Sequence, residues 1–265
     1  MGPHERWTAL LDILGRDGRL DVALAADELA VSAATIRRDL DHLAGQQLLS
    51  RTRGGAAPAS VAYDLPLRYK TGRHTAEKFR IGAAAAALIR PGSVVAVNGG
   101  TTTSEVARAL VTVPAPGADH DVLGDNPAFT VVTNALNIAN DLAVRRTIKL
   151  VVTGGVARPS SYELVGPLAE PALERLHLDY VVLGVDGFDV ATGATAHHEG
   201  EAAVNALMVA QATTVVVVAD GSKLGHSSFA RICSTAAVDV LITDSGADPA
   251  QVAAFEAADV QVIRA

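Results

Sequence analysis

Val31-Ser32-Ala33-Ala34-Thr35-Ile36-Arg37-Arg38-Asp39-Leu40 combines a helix start, an apolar stripe and an arginine face. Ser32 has the chemistry of an N-cap, its hydroxyl accepting from first-turn N–H groups, and Val31 with Ile36 forms a hydrophobic staple around it. Ile36, Leu40 and Leu43 recur at i, i+4 and i+7, which puts them on one apolar face. At about 100° per residue, Ala34, Arg38 and Asp41 project from the opposite face, flanked by Thr35 and Arg37. Small residues let a helix enter the major groove, and arginine bridges phosphates or a guanine edge. The stretch reads as a DNA-recognition helix whose candidate contacts are Ser32, Thr35, Arg37 and Arg38.

The flanking sequence repeats the message. Residues 4–15, with Trp7, Leu10, Leu11 and Leu14, form a first amphipathic helix, residues 15–18 a turn, and residues 21–30 a second short helix. This is the order of a helix-turn-helix. Downstream, Leu48-Leu49-Ser50-Arg51-Thr52-Arg53-Gly54-Gly55 alternates and ends in two glycines, as a β-hairpin wing does, with Arg51 and Arg53 placed to reach phosphate or the minor groove. The competing reading is a small helical domain whose arginines are solvated surface charge.

A chain of 265 residues can hold a short recognition domain joined to a larger one. The formal charge of −7 divides unevenly: residues 1–80 carry 12 Lys+Arg against 10 Asp+Glu, and residues 81–265 carry 10 against 19. The excess on the N-terminal side is slight, so the arrangement of the arginines, not net charge, carries the inference of DNA binding. The single cysteine, Cys233, excludes an intrachain disulfide and any multi-cysteine metal cluster, and is consistent with a reducing cytoplasm. No basic start leads into an apolar core and cleavage site, and no run of 18 apolar residues occurs. The alanine-rich stretch 81–89 is expected to be a buried helix, and the protein to be cytoplasmic with no membrane contact.

From residue 93 onward, β-branched runs alternate with helical stretches, which predicts parallel strands covered by helices. The strands are expected at 93–98, 129–133, 148–153, 180–185, 214–219, 238–243 and 260–263, with a helix over 75–89 and a surface loop over 113–127. In open parallel sheets ligands bind beyond the carboxyl ends of strands. There, Asn98-Gly99-Gly100-Thr101-Thr102-Thr103 opens a helix and offers backbone N–H groups, hydroxyls and a helix terminus to an anion. The stretch lacks the Lys-Ser/Thr ending of a nucleotide loop and the spacing of a dinucleotide fingerprint, so a small phosphorylated ligand fits better.

Comparable loops are Thr133-Asn134, Gly154-Gly155, Asp186-Gly187-Phe188-Asp189 and Asp220-Gly221-Ser222-Lys223. Lys223 is a candidate for the phosphate, and Asp186 and Asn134 for hydroxyls; any one loop alone is better explained as a turn, and it is the five together at strand ends that point to a ligand. Ala196-His197-His198-Glu199-Gly200-Glu201 carries metal-ligand residue types, but adjacent residues point different ways and no partner group is obvious. Glu199 and Glu201 are instead expected to contact ligand hydroxyls or to stabilise a helix starting near Ala202.

These motifs together resemble the DeoR family of bacterial transcriptional regulators over nearly the whole chain. The N-terminal match lies in Val31-Ser32, Thr35 to Leu40, Arg51 and Gly54-Gly55-Ala56, and the C-terminal match in Gly100-Thr101-Thr102, Val132-Thr133-Asn134, Gly154-Gly155, Asp220 with Ser222-Lys223, and Ile242-Thr243-Asp244. Gly193-Ala194-Thr195 to Met208, with Ser228-Phe229, is similar to the branch that regulates amino-sugar and galactitol use. The resemblance implies an α/β chain with an N-terminal winged helix-turn-helix over residues 1–57, a linker over 58–74, and over 75–265 a sensor related in fold to ribose-5-phosphate isomerase.

It further implies a homo-oligomeric repressor of a carbohydrate operon that releases operator DNA on binding a phosphorylated sugar, with no cofactor. Gly99, Gly100, Thr101, Thr102, Thr103, Thr133, Asn134, Gly154, Gly155, Asp186, Glu199 and Lys223 are the expected effector contacts. Asp186-Gly187-Phe188-Asp189 resembles the isomerase Asp-Gly-Ala-Asp signature, which keeps a sugar-phosphate isomerase with an attached DNA-binding module as the alternative. The lysine expected in the loop after it is absent from residues 190–202, which favours binding over catalysis.

Overall fold

The computed structural model describes residues 1–46, 48–57, 66–70, 74–114 and 127–265. These fall into two compact units, residues 1–72 and 73–265.

The first unit begins with α1 (Pro3–Asp17), then β1 (Leu20–Asp21), α2 (Val22–Glu28), α3 (Ala33–Gly45), β2 (Ser50–Thr52) and β3 (Gly55–Ala57). Ser32 caps α3 as expected, its Oγ accepting from the Thr35 N–H at 3.1 Å. Asp21 caps α2 in the same way, through the Ala23 and Leu24 N–H groups. The turn expected at 15–18 is shorter: Gly15 stays helical, and the chain breaks only at Gly18, the left-handed cap of α1. β1, β3 and β2 form an antiparallel sheet in the order β1-β3-β2, so the wing is tied back to the strand between the first two helices.

Leu10, Leu11, Leu14, Ile36, Leu40, Leu43 and Leu49 fill the core of this unit. α4 (Leu67–Lys70) is a short helix inside the stretch read as linker, and Tyr69 on it is buried in that same core, its hydroxyl donating to Gln46 Oε1 at 3.0 Å. Leu67–Lys70 therefore extends the first unit rather than spacing the two. The rest of the stretch read as linker, apart from Pro66 and His74, lies outside the described residues, as does most of the surface loop expected over 113–127.

The second unit contains α5 (Thr75–Leu88), β4 (Val94–Val97), α6 (Thr101–Val111), β5 (Phe129–Thr133), α7 (Leu136–Leu142), β6 (Ile148–Val152), β7 (Val156–Ala157), β8 (Leu164–Val165), α8 (Glu170–Leu173) and β9 (Leu178–Gly184). It continues through β10 (Gly187–Asp189), β11 (Gly193–Ala196), α9 (Glu199–Ala210), β12 (Ala212–Val218), β13 (Ala230–Cys233), β14 (Val240–Thr243), α10 (Pro249–Glu256) and β15 (Gln261–Arg264). The seven expected strands are all present and pair in parallel, in the order β15-β14-β12-β9-β4-β5-β6.

Alternate residues of the central strands feed opposite faces. Val95, Val97, Val182, Val216 and Val218 meet Ile81, Val106, Leu110 and Ile138 of α5, α6 and α7. Ala96, Val181, Leu183, Val215 and Val217 meet Leu173, Val204, Met208 and Phe255 of α8, α9 and α10. A sheet covered on both faces explains why its strands read as unbroken apolar runs. The second face also carries an antiparallel sheet, β10-β11-β13, that periodicity does not predict. Its Phe188 stacks on Phe255, with ring centroids 4.3 Å apart. The ninth helix starts at Glu199, three residues earlier than expected, because His198 caps it, Nδ1 accepting from the Gly200 N–H at 3.1 Å.

Candidate functional site

On α3, Arg37 and Arg38 are exposed, while Ile36, Asp39 and Leu40 are buried behind them. Asp39 fixes how this helix sits. Its carboxylate pairs with Arg6 of α1, Oδ1 receiving Nη2 at 3.0 Å, and also accepts the Trp7 indole N–H at 2.8 Å. Trp7 in turn stacks on His42, with centroids 4.0 Å apart. The hydroxyls of Ser32 and Thr35 lie 2.9 Å from each other, so both are engaged at the helix start. Arg51 is tied within the unit, donating to Gly55 O at 3.0 Å and pairing with Asp41 at 2.9 Å. It orients the wing against α3, and Arg53, in the exposed turn of the hairpin, is the wing's outward cation.

In the second unit the chain leaves β4 toward β5 on one side, while β9 joins β4 on the other. This reversal of strand order is a topological switch point, where the loops beyond adjacent strands diverge and leave a crevice. Asn98 pins the two strand ends, donating Nδ2 to Gly184 O at 3.0 Å and accepting the Gly184 N–H on Oδ1 at 2.7 Å. Beyond it, Gly100 starts α6 with no side-chain cap. The first-turn N–H groups of a helix have no intrahelical acceptors and carry the positive end of its dipole, an arrangement suited to an anion. Thr102 and Thr103 are buried, Thr103 bonding back to Gly100 O, while Thr101 is half-exposed at the opening of the helix.

Thr133 is used structurally: its hydroxyl donates to Val97 O at 2.6 Å and accepts the Ala135 N–H. Asn134 beside it is fully buried and donates Nδ2 to Glu163 Oε2 at 2.8 Å. Glu163 reaches this point because the chain doubles back after β6. Gly154 (φ 77°) and Gly155 (φ 127°) take left-handed backbone that residues with a side chain resist, and β7 and β8 pair as a hairpin immediately after them. The pair therefore shapes the site by returning the chain, which also brings Arg158 in. Glu163 packs so closely over Gly99 that a Cβ there would lie 2.4 Å from Glu163 Cγ.

Arg158 Nη1 donates to Glu201 Oε1 at 2.7 Å, and Asp186 Oδ2 accepts the His197 N–H at 3.0 Å. Burial, reinforced by the negative charges of Glu201 and Asp186 and offset in part by Asn134 and Arg158, pushes the Glu163 carboxyl well above the ordinary glutamate range. Glu199 is not brought into this group: its side chain is 72% exposed, and Glu201 faces inward instead. Asp189 serves the β10–β11 turn, its Oδ1 accepting the Ala191 and Thr192 N–H groups.

On the β12 side, Gly221–Lys223 forms a single 3-10 turn capped by Asp220. Burial would raise the Asp220 carboxyl, but the Ser222 hydroxyl together with Lys223, His74 and Lys78 outweighs it and lowers it. Lys78, on α5, is itself buried beside this turn. The structure thus adds Glu163, Arg158 and Lys78 to the residues read from sequence. The signals available were a lysine inside the alanine-rich helix and a glutamate between Tyr162 and Leu164, both weak.

A winged helix-turn-helix with an outward arginine face, together with an α/β unit that has an uncapped helix start at its switch point, defines a DNA-binding regulator with a sensor domain. Residues 6–61 match the DeoR-like helix-turn-helix domain, and residues 73–245 match the DeoR C terminal sensor domain. The chain belongs to the DeoR family of transcriptional regulators. It is 33% identical over 265 residues to a putative aga operon transcriptional repressor of Escherichia coli O157:H7, covering 99% of this chain and 94% of that protein. It is 36% identical over 264 residues to the HTH-type transcriptional regulator GlpR of Haloferax volcanii, covering 99% and 98%.

The glycerol-3-phosphate regulon repressor of Escherichia coli K12 is 29% identical over 245 residues, 92% of each chain. Among solved structures, ribose 5 phosphate isomerase A from Neisseria gonorrhoeae is similar over 55% of this chain and 52% of its own, at 16% identity and a TM-score of 0.38. The full-length relatives being named regulators, the chain is a DNA-binding transcriptional regulator and not an enzyme. Among the described residues no helix is long and apolar enough to cross a membrane.

Proposed function

We propose that this regulator represses a carbohydrate-utilisation operon in the cytoplasm, and that a phosphorylated sugar bound at the switch point of the second unit releases it from operator DNA. The observation that carries this reading is the contact between two unlike half-sites. The uncapped start of α6 suits a phosphate, and Glu163, lying directly over Gly99 of the same loop, leads into the acceptor-rich group of Asn134, Asp186 and Glu201, which suits hydroxyls. Gly99, Gly100 and Thr101 to Thr103 take the phosphate with Lys223, and Asn134 and Asp186 take hydroxyls. Thr133, Gly154 and Gly155 hold the site's shape.

On the DNA side, Arg37 and Arg38 read the major groove, Ser32 and Thr35 fix the helix start against the backbone, and Arg53 with Arg51 serves the wing. Self-association places two recognition helices on repeated half-sites. Release requires that the ligand favour the conformation that does not bind DNA, by about 1–3 kcal/mol in a typical allosteric protein. The test is fluorescence anisotropy with DNA from upstream of the chain's own gene, at fixed salt, across a panel of sugar phosphates. Specific binding weakened by one ester supports the reading; specific binding that no ester changes refutes the effector half of it.

A further inference from the structure

Around Glu163 the buried polar atoms are mostly acceptors. The Glu163 side chain is part of a residue only 4% exposed, and its Oε2 receives the Asn134 amide N–H. Asn134 is fully buried, and the other atom of that same amide, Oδ1, has no hydrogen-bond partner. Buried acceptors are nearly always satisfied, so an orphaned one beside the phosphate cradle points to a donor supplied from outside the chain. Asp186 and Glu201 add two carboxylates close enough to act on Glu163 electrostatically, offset in part by the Arg158 guanidinium. Hydroxyls and amines fill such a group of acceptors, whereas a carboxylate meets like charge at low dielectric and brings no donor.

We propose that Glu163, with Asn134, Asp186 and Glu201, determines effector specificity: the site takes phosphate esters whose other end is an uncharged or cationic hydrogen-bond donor, and rejects phosphorylated sugar acids. This rests on the reading that the switch point holds a phosphorylated sugar. Glu163 touches the ligand's hydroxyls, and the Gly99 backbone beneath it sets the distance from those hydroxyls to the phosphate.

The experiment is calorimetric titration of the full chain with matched pairs: glycerol 3-phosphate against 3-phosphoglycerate, ribose 5-phosphate against 5-phosphoribonate, and glucose 6-phosphate against 6-phosphogluconate. In whichever pair binds, the uncharged member is expected to bind at least about tenfold more tightly, and Asp186→Asn, which removes one of the charges acting on Glu163, to shrink that ratio at least about threefold by improving the acid. Asparagine keeps the shape and an acceptor for the His197 N–H. An acid that binds the wild type as well as its uncharged partner overturns the proposal, as does a ratio unchanged in a folded Asp186→Asn. If the variant fails to fold, the wild-type ratio alone decides. Absence of binding by every member of every pair overturns the sugar-phosphate reading and this proposal with it, whereas binding in the wrong order overturns this proposal alone.

Discussion

Replacing Asp39 by alanine tests whether the recognition helix is held from behind by α1. The change removes the acceptor for the Arg6 guanidinium and for the Trp7 indole N–H, and leaves both partners in place. The Arg6 and Asp39 side chains are 13% and 8% exposed, so the pair is mostly shielded from water without being fully desolvated. Breaking a buried pair from one side costs about 3–5 kcal/mol, and hydrogen bonds to charged groups contribute about 1.5–3 kcal/mol each. Residual exposure places the expected loss near 3 kcal/mol.

A domain of this size loses about 4–8 °C of Tm per kcal/mol, so the first unit should melt at least about 10 °C lower. Trp7 is the only tryptophan and is stacked on His42, so its fluorescence reports this unit separately from the sensor. Asp41→Ala is the control: Asp41 is 66% exposed in its pair with Arg51, and the expected loss is within about 0.5–1 kcal/mol. An Asp39→Ala protein whose tryptophan-detected transition moves no further than that of Asp41→Ala would refute the clamp.

Arg38→Ala should weaken operator binding by about 1–3 kcal/mol and flatten the preference at one base pair, read by anisotropy on single-base operator variants. Arg53→Ala should instead weaken all sequences alike and lower the salt slope by about 1. Asp220, whose folded carboxyl is lowered, adds stability that is complete above its unfolded value and is lost as pH falls through the folded one. Asp220→Asn should therefore be less stable than the wild type at pH 7, with the difference closing below about pH 4 in thermal melts.

Glu163, whose carboxyl is raised, has the opposite sign: in the unfolded chain it ionises above about pH 4.3 while the folded chain holds its proton, which erodes stability as pH rises. Glu163→Gln should gain on the wild type at pH 7 and match it near pH 4. Phe188→Ala should cost about 3–5 kcal/mol in the sensor transition by leaving a void against Phe255.

The recognition helix was legible because its cap, staple, apolar stripe and arginine face all lie within one short segment, where spacing alone fixes direction. The seven parallel strands were legible for a related reason: burial on both faces leaves apolar runs too long to mistake. What escaped depends on distant pairing. β10, β11 and β13 are three or four residues each, and β13 joins β11 across the whole of α9 and β12. The role of Asp39 has no local signal, because its partners Arg6 and Trp7 lie 33 and 32 residues away in the chain. Glu199 and Glu201 could not be ranked without knowing that His198 caps the helix, which turns Glu201 inward and leaves Glu199 in solvent. Glu163 and Arg158 enter the site only because the chain returns after Gly154-Gly155.

If one ligand site in the second unit and the DNA site in the first share a conformational equilibrium, linkage makes the coupling measurable from the side opposite to release. If a sugar phosphate weakens operator affinity by some factor, operator DNA must weaken the affinity for that sugar phosphate by the same factor. The measurement is calorimetric titration of the ester that most strongly displaces DNA, into protein alone and into protein saturated with operator. Weaker binding to the complex, by the factor found in anisotropy, is expected; equal affinity for free and DNA-bound protein would contradict the coupling of the two sites.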